Sequence, residues 1–296
     1  MVGRRHAFPG PPALPLDAPG VLSCPIMRFL PPGAGPRWPL RRPAAFTRRA
    51  LLVTVCLAVL PSGVAQAAPP PNPLLKIGRL AAASCPEPPL IDGGMPRTRE
   101  YLTAAMRCLD RLWSARFARA GLGFRKPAVR FYEEPAQRVC GVRWPANAAA
   151  FYCTERATLV FPLTGGWIEG RTDLYPLKVA AHEYGHHLQS LTGVRDDYEA
   201  RVRSGRAHAR QAELGRRYEL QADCLSGVFL GSVRGSLART AQDWQALSDA
   251  LRASGDDGDY RTHGTGASRL RWFDRGYRAV SPAACDTWTA TPSQVS

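Results

Sequence analysis

Between Thr98 and Ala120 the apolar positions Tyr101, Leu102, Ala105, Leu109, Leu112 and Phe117 recur near the 3.6-residue period, which predicts an amphipathic helix stopped by Gly121. Ala128 to Tyr132 and Cys153 to Leu163, the latter with Thr158-Leu159-Val160-Phe161, are the strand candidates. Helical spacing resumes at Pro176, whose missing N–H is harmless in a first turn, and runs to Gly193. Asp196 to Ala212 is charged and arginine-rich, a helical but mostly solvated connection. Further helices are predicted at Arg216 to Val233, at Thr240 to Ala253 with Trp244 and Leu247 inward, and at Ala267 to Ala279. This succession predicts an α+β fold, a small and mostly antiparallel sheet packed on several helices, forming one domain over 98–290 without internal repeats. Residues 68–97 read as an extended lead-in tied down only at Cys85, and nothing in them demands a place in the core, so they could be a removable pro-segment.

The first 67 residues do not pattern as fold. They carry 12 of the 27 prolines, then Arg41, Arg42, Arg48 and Arg49, an apolar run from Ala50 to Leu60, and Ala65-Gln66-Ala67. A basic flank, a short apolar core and an A-x-A end are the parts of a secretory signal peptide, so cleavage is expected after Ala67. The apolar run is shorter than the roughly 20 residues a membrane span needs. Met27 is an alternative start. The leader carries eight Lys/Arg and one acidic residue, so the remainder holds 31 basic against 23 acidic residues, +8 where the whole chain has +15. That excess would suit weak association with an anionic cell envelope. Nucleic-acid binding is not expected, because no basic stripe interleaved with aromatics is present.

Six cysteines follow the leader, and an even number in an exported chain suggests disulfides with 15 formal connectivities. The expected pairs are Cys85–Cys108, Cys140–Cys153 and Cys224–Cys285, of which the middle one would staple a turn-rich hairpin. No C-x-x-C occurs, which removes a four-cysteine zinc site from consideration.

The candidate chemistry lies in the helix after Pro176. His182-Glu183-Tyr184-Gly185-His186 places two imidazoles four residues apart on one helix face, with Glu183 rotated about 100° from His182. Catalytic zinc takes three protein ligands and leaves one position open, so a third donor is required. Glu219 and Asp223, themselves four apart, are the candidates, with Glu219 as ligand and Asp223 as acceptor for the outer N–H of a ligand histidine. Chain order alone leaves the reverse assignment open. Zn2+ held there would acidify a water for which Glu183 is the general base. Of the neighbours, Gln189 would line the cleft, His187 would sit at the surface or behind the ligands, and Gly185 would let another backbone approach. The strand at Thr158 to Leu163 would pair with an extended substrate.

The strings His182 to Gln189, Glu219 to Cys224 and His263 to Phe273, in that order, resemble the bacterial "putative neutral zinc metallopeptidase" family over about Cys85 to Cys285. The resemblance implies a zincin-like domain with a glutamate third ligand, which favours Glu219 over Asp223. It also implies a secreted or envelope metallopeptidase while carrying little about substrate; the expected partner is a peptide or protein substrate, and the expected state is a monomer. His263 and Tyr260 fall where similar enzymes keep donors that stabilise the transition state. The rival readings are a hydrolase of cell-wall amides, and an exported zinc-containing binding protein in which Glu183 would have no task.

Overall fold

The computed structural model describes residues 72–90, 93–134, 136–144, 148–171, 173–205, 207–256 and 262–296. The expected leader over 1–67, its cleavage point and Tyr260 lie outside these residues. The elements are α1 (Gly94–Arg119), β1 (Ala128–Tyr132), β2 (Arg138–Val139), β3 (Val142–Arg143), β4 (Phe151–Cys153), β5 (Thr158–Pro162), α2 (Tyr175–Leu191), α3 (Val194–Ser204), α4 (His208–Val233), α5 (Ala241–Ala253) and α6 (Gly266–Ala279). Together they form the α+β arrangement that the periodicity predicts, with α4 beginning eight residues before the expected Arg216. Thr240 sits just outside α5 because its hydroxyl caps the Asp243 N–H while the Asp243 carboxylate accepts from the Thr240 N–H. None of the described helices is long and apolar enough to cross a membrane.

The sheet departs from the expected pattern. Its order is β1-β5-β4; the longest ladder, β1 with β5, is parallel from Ala128↔Thr158 to Tyr132↔Pro162, and only β4 with β5 and the separate β2–β3 hairpin are antiparallel. The reason is burial. All five residues of β5 are buried, as befits a strand with neighbours on both edges and layers on both faces. A strand so enclosed has no free edge for a substrate, which corrects the expectation for Thr158 to Leu163; the outer strand beside α2 is β4.

Helix α4 is the hub. From Leu220 to Val233 every residue is buried, with α2 against one side and α6 against the other. The crossing with α6 depends on bare backbone: a Cβ on Gly227 would overlap the Phe273 carbonyl, one on Gly231 the Tyr277 carbonyl, and one on Gly276 the Cys224 carbonyl. Gly276→Ala is therefore expected to cost about 3 kcal/mol through overpacking. A urea midpoint unchanged from the parent would remove this account of the crossing.

The lead-in is also more than a tether. Leu74, Ile77 and Leu80 are buried in the main core along with Cys85, and the Leu80 N–H and Ala83 N–H donate to the carbonyls of Val280 and Ser232. The reading of 68–97 as held only at Cys85 is thus corrected for its described part. Isolated apolar residues among prolines carry no periodic signal, so their burial is visible only in the folded chain, where Pro73–Lys76 packs against the turn at Pro282–Cys285. The three disulfides join the expected pairs, with Cα separations of 5.9 Å for Cys85–Cys108, 6.3 Å for Cys140–Cys153 and 5.5 Å for Cys224–Cys285. The last fastens α4 to the turn at Pro282–Cys285.

Candidate metal centre

Helix α2 is buried on nearly all sides from Pro176 to Gln189, which is unusual for a segment with three histidines, a glutamate and a lysine. It tolerates this because α4 supplies partners. Gly185 faces α4, and a Cβ there would lie 3.2 Å from Ala222 Cα, so the glycine sets the close approach of the two helices. At that distance His182, His186, Glu219 and Asp223 share one space between them.

The His182 Nδ1 lies 2.8 Å from Asp223 Oδ1, and its Nε2 lies 3.2 Å from Glu219 Oε2. His186 Nε2 is 3.2 Å from the same Glu219 oxygen, while its Nδ1 meets Gln189 Oε1 at 2.8 Å. Gln189 is fully buried and does not line a cleft, contrary to the sequence expectation. Its amide nitrogen is committed to the Tyr218 carbonyl and Gln221 Oε1, which orients its oxygen toward His186 as an acceptor. Both imidazoles therefore carry a proton on Nδ1 and turn Nε2 toward Glu219. Two imidazole nitrogens and a carboxylate oxygen turned to one point are a donor set for a divalent cation once the inner nitrogens shed their protons. Donors 2.0–2.2 Å from a tetrahedral zinc stand roughly 3.3–3.5 Å apart, so the observed separations fit that ion.

His263 reaches the same point. Its Nε2 is 3.5 Å from Glu219 Oε2 and its ring lies nearly parallel to that of His182, with centroids 6.4 Å apart. The donor atoms that all lie within 4.8 Å of one another belong to His182, Glu219 and His263, a set that includes His263 where the sequence places His186. His186 faces the same Glu219 oxygen at 3.2 Å, with its ring turned 88° from that of His182 and stacked on Tyr218 at 4.8 Å.

Asp223 is fully buried and its oxygens are occupied by Lys178 Nζ at 2.5 Å, His182 Nδ1, and Arg269 Nε at 2.9 Å. Those contacts leave it as the orienter of His182 in this arrangement, with Glu219 as the carboxylate facing both imidazoles. Burial alone would raise the Asp223 carboxyl, but Arg269, Lys178 and His182 outweigh it and hold the group well below the ordinary range. Glu219 behaves alike: burial works to raise it, and His186 and His263 bring it well down. For His186 burial works downward, yet Glu219 and Glu183 lift the imidazole to about 9 in the metal-free arrangement. Glu183 is 8 % exposed, and among the described residues its carboxylate takes no hydrogen bond or ion pair.

Three further features escape sequence reading. Lys178 lies one turn before His182 on the same face, and Arg269 stands in the third motif string, but only the fold brings both to Asp223. His187 is neither a surface residue nor an orienter of the ligands: it is fully buried, its Nε2 donates to the Arg125 carbonyl at 2.7 Å, and Tyr152 of β4 meets its Nδ1 at 3.1 Å. It fastens the outer strand to α2. The supposedly solvated connection also turns one face inward, where Tyr198 of α3 stacks on Tyr218 at 4.7 Å and Arg195 lies over both rings. Charge density along this segment hid a single aromatic at the right angle.

Residues 96–288 match the family described as "Putative neutral zinc metallopeptidase". The chain is 29 % identical over 208 residues to the uncharacterized protein YpfJ of Escherichia coli K12, covering 64 % of this chain and 71 % of that protein. It is 32 % identical over 197 residues to the uncharacterized proteins Mb2605 of Mycobacterium bovis and Rv2575 of Mycobacterium tuberculosis, covering 57 % of this chain and 64 % of each. No solved structure matches. With about two thirds of its length inside that match, the chain belongs to the "Putative neutral zinc metallopeptidase" family.

Proposed function

We propose that this protein is an exported zinc peptidase that cleaves peptide bonds with Glu183 as general base and with His182, His186 and Glu219 as metal ligands. The observation that carries the reading is the convergence of two imidazole nitrogens on one Glu219 oxygen, beside a buried glutamate whose carboxylate takes no hydrogen bond or ion pair among the described residues. Zinc would supply Lewis acidity toward a carbonyl and make a water acidic enough to lose its proton near neutral pH. Glu183 accepts that proton and returns it to the amine that leaves, so its carboxylate ends each cycle as it began. Asp223 and Gln189 hold the two helix imidazoles by their outer nitrogens, fixing the ring orientation so that the inner nitrogens are the ones that would bind the ion. The outer strand β4 offers main-chain groups to an extended peptide, which would give broad side-chain tolerance. Export is supported by the basic, apolar and A-x-A succession before residue 68 and by the three disulfides, which persist in oxidising compartments.

The direct test is metal removal. Turnover of an unfolded protein substrate is expected to vanish on exposure to a chelator and to return with stoichiometric zinc, with bound metal measured alongside. Turnover that persists in protein shown to be metal-free would end the proposal.

A further inference from the structure

We infer that His263 is a fourth protein donor to the metal, closing the resting centre with three imidazoles and one carboxylate, and that substrate must displace this ring to reach the ion. The inference rests on the zinc reading above and concerns how the site is regulated.

The geometry points to a donor. His263 Nε2 stands 3.5 Å from Glu219 Oε2, against 3.2 Å for each of the other two histidines, each close to the roughly 3.3–3.5 Å between two ligands of one zinc, and the donor atoms of His182, Glu219 and His263 all lie within 4.8 Å of one another. Its Nδ1 has oxygen neighbours, Thr262 Oγ1 at 3.1 Å and Asp256 Oδ1 at 3.5 Å. A proton on Nδ1 satisfies them and leaves Nε2 bare, as Asp223 and Gln189 do for His182 and His186. In that tautomer Nε2 has no N–H to offer an oxyanion. The expectation that His263 donates to the transition state therefore fits the resting geometry less well than metal ligation does.

Four protein ligands make a closed shell, which suits structural zinc, whereas hydrolysis needs an open position. One donor has to yield, and the differences among the three identify it. His182 and His186 lie within a buried helix, with side chains 7 % and 10 % exposed, and each has its Nδ1 held at 2.8 Å. The His263 side chain is 41 % exposed and precedes α6 rather than lying in a helix. Asp256 grips this segment by its backbone, through the N–H groups of His263 and Gly264, so the ring can leave while the chain stays. The resting enzyme would thereby keep its nucleophilic position covered until a peptide enters.

X-ray absorption at the zinc edge, on zinc-loaded wild type and on His263→Ala, counts the imidazoles directly. Three are expected in wild type and two in the variant, with zinc affinity by chelator competition lower in the variant by on the order of 10- to 100-fold. Adding a peptide hydroxamate should bring the wild-type count from three to two and leave the variant at two. Two imidazoles in resting wild type would overturn the assignment, and that measurement stands even if His263→Ala does not fold. A count that stays at three with the hydroxamate bound would overturn displacement. Failure to bind zinc at all would instead strike at the proposed function, so the two failures are separable.

Discussion

Glu183→Gln is expected to retain zinc and fold while losing turnover by about 10²- to 10⁴-fold, the usual worth of a positioned general base. The substitution keeps the shape of a side chain only 8 % exposed and removes its ability to take a proton. It separates chemistry from structure because Glu183 has no hydrogen bond or ion pair among the described residues, so no packed network is broken with it. The measurement is turnover per bound zinc on a peptide substrate, with circular dichroism to verify the fold. Activity within a few-fold of the parent would show that another group moves the proton. A variant that kept its biological effect without turnover would favour the binding-protein alternative.

The second large effect is expected at Asp223. Asp223→Ala removes the acceptor shared by Lys178, His182 and Arg269, and Lys178 is 2 % exposed, so its charge would remain buried without a counter-ion. Breaking a buried pair from one side costs about 3–5 kcal/mol. In a domain of this size that lowers Tm by roughly 6–20 °C, and zinc affinity should fall by about 10- to 100-fold as His182 loses its orienter. Asp223→Asn keeps the shape and an acceptor oxygen but not the charge, and should fall between the two. Thermal unfolding of the metal-free forms isolates the electrostatic loss from the metal contribution. A shift of under 2 °C there would mean that the cluster relaxes or admits water, and the account of a clamped ligand would fail.

The local elements were legible wherever the chain states its own geometry. Helical spacing placed α1, α2, α5 and α6 to within a few residues, because an amphipathic helix writes its buried face every three to four positions. It also placed His182 and His186 on one side of α2, and E-x-x-x-D spacing placed Glu219 and Asp223 on one side of α4. The connection after Gly193 misled because charge outweighed one inward aromatic, Tyr198, and the lead-in misled because Leu74, Ile77 and Leu80 follow no period. Gln189 and His187 were misjudged for a related reason: helix α2 is buried all round, so no polar face distinguishes a cleft residue from an enclosed one.

What the sequence determined by itself is therefore the inventory: an α+β succession, two pairs of polar residues at helical spacing, and six cysteines to pair. Spacing along a helix is a short-range property, dictated by 3.6 residues per turn wherever the segment sits. Tertiary structure decided what those residues meet. It set a parallel ladder at the sheet centre, gave Asp223 to Lys178 and Arg269, and brought His263 across to Glu219. Each of these contacts joins segments tens of residues apart, and the approach of α2 to α4 further depends on the bare backbone of Gly185, a distance no local pattern records.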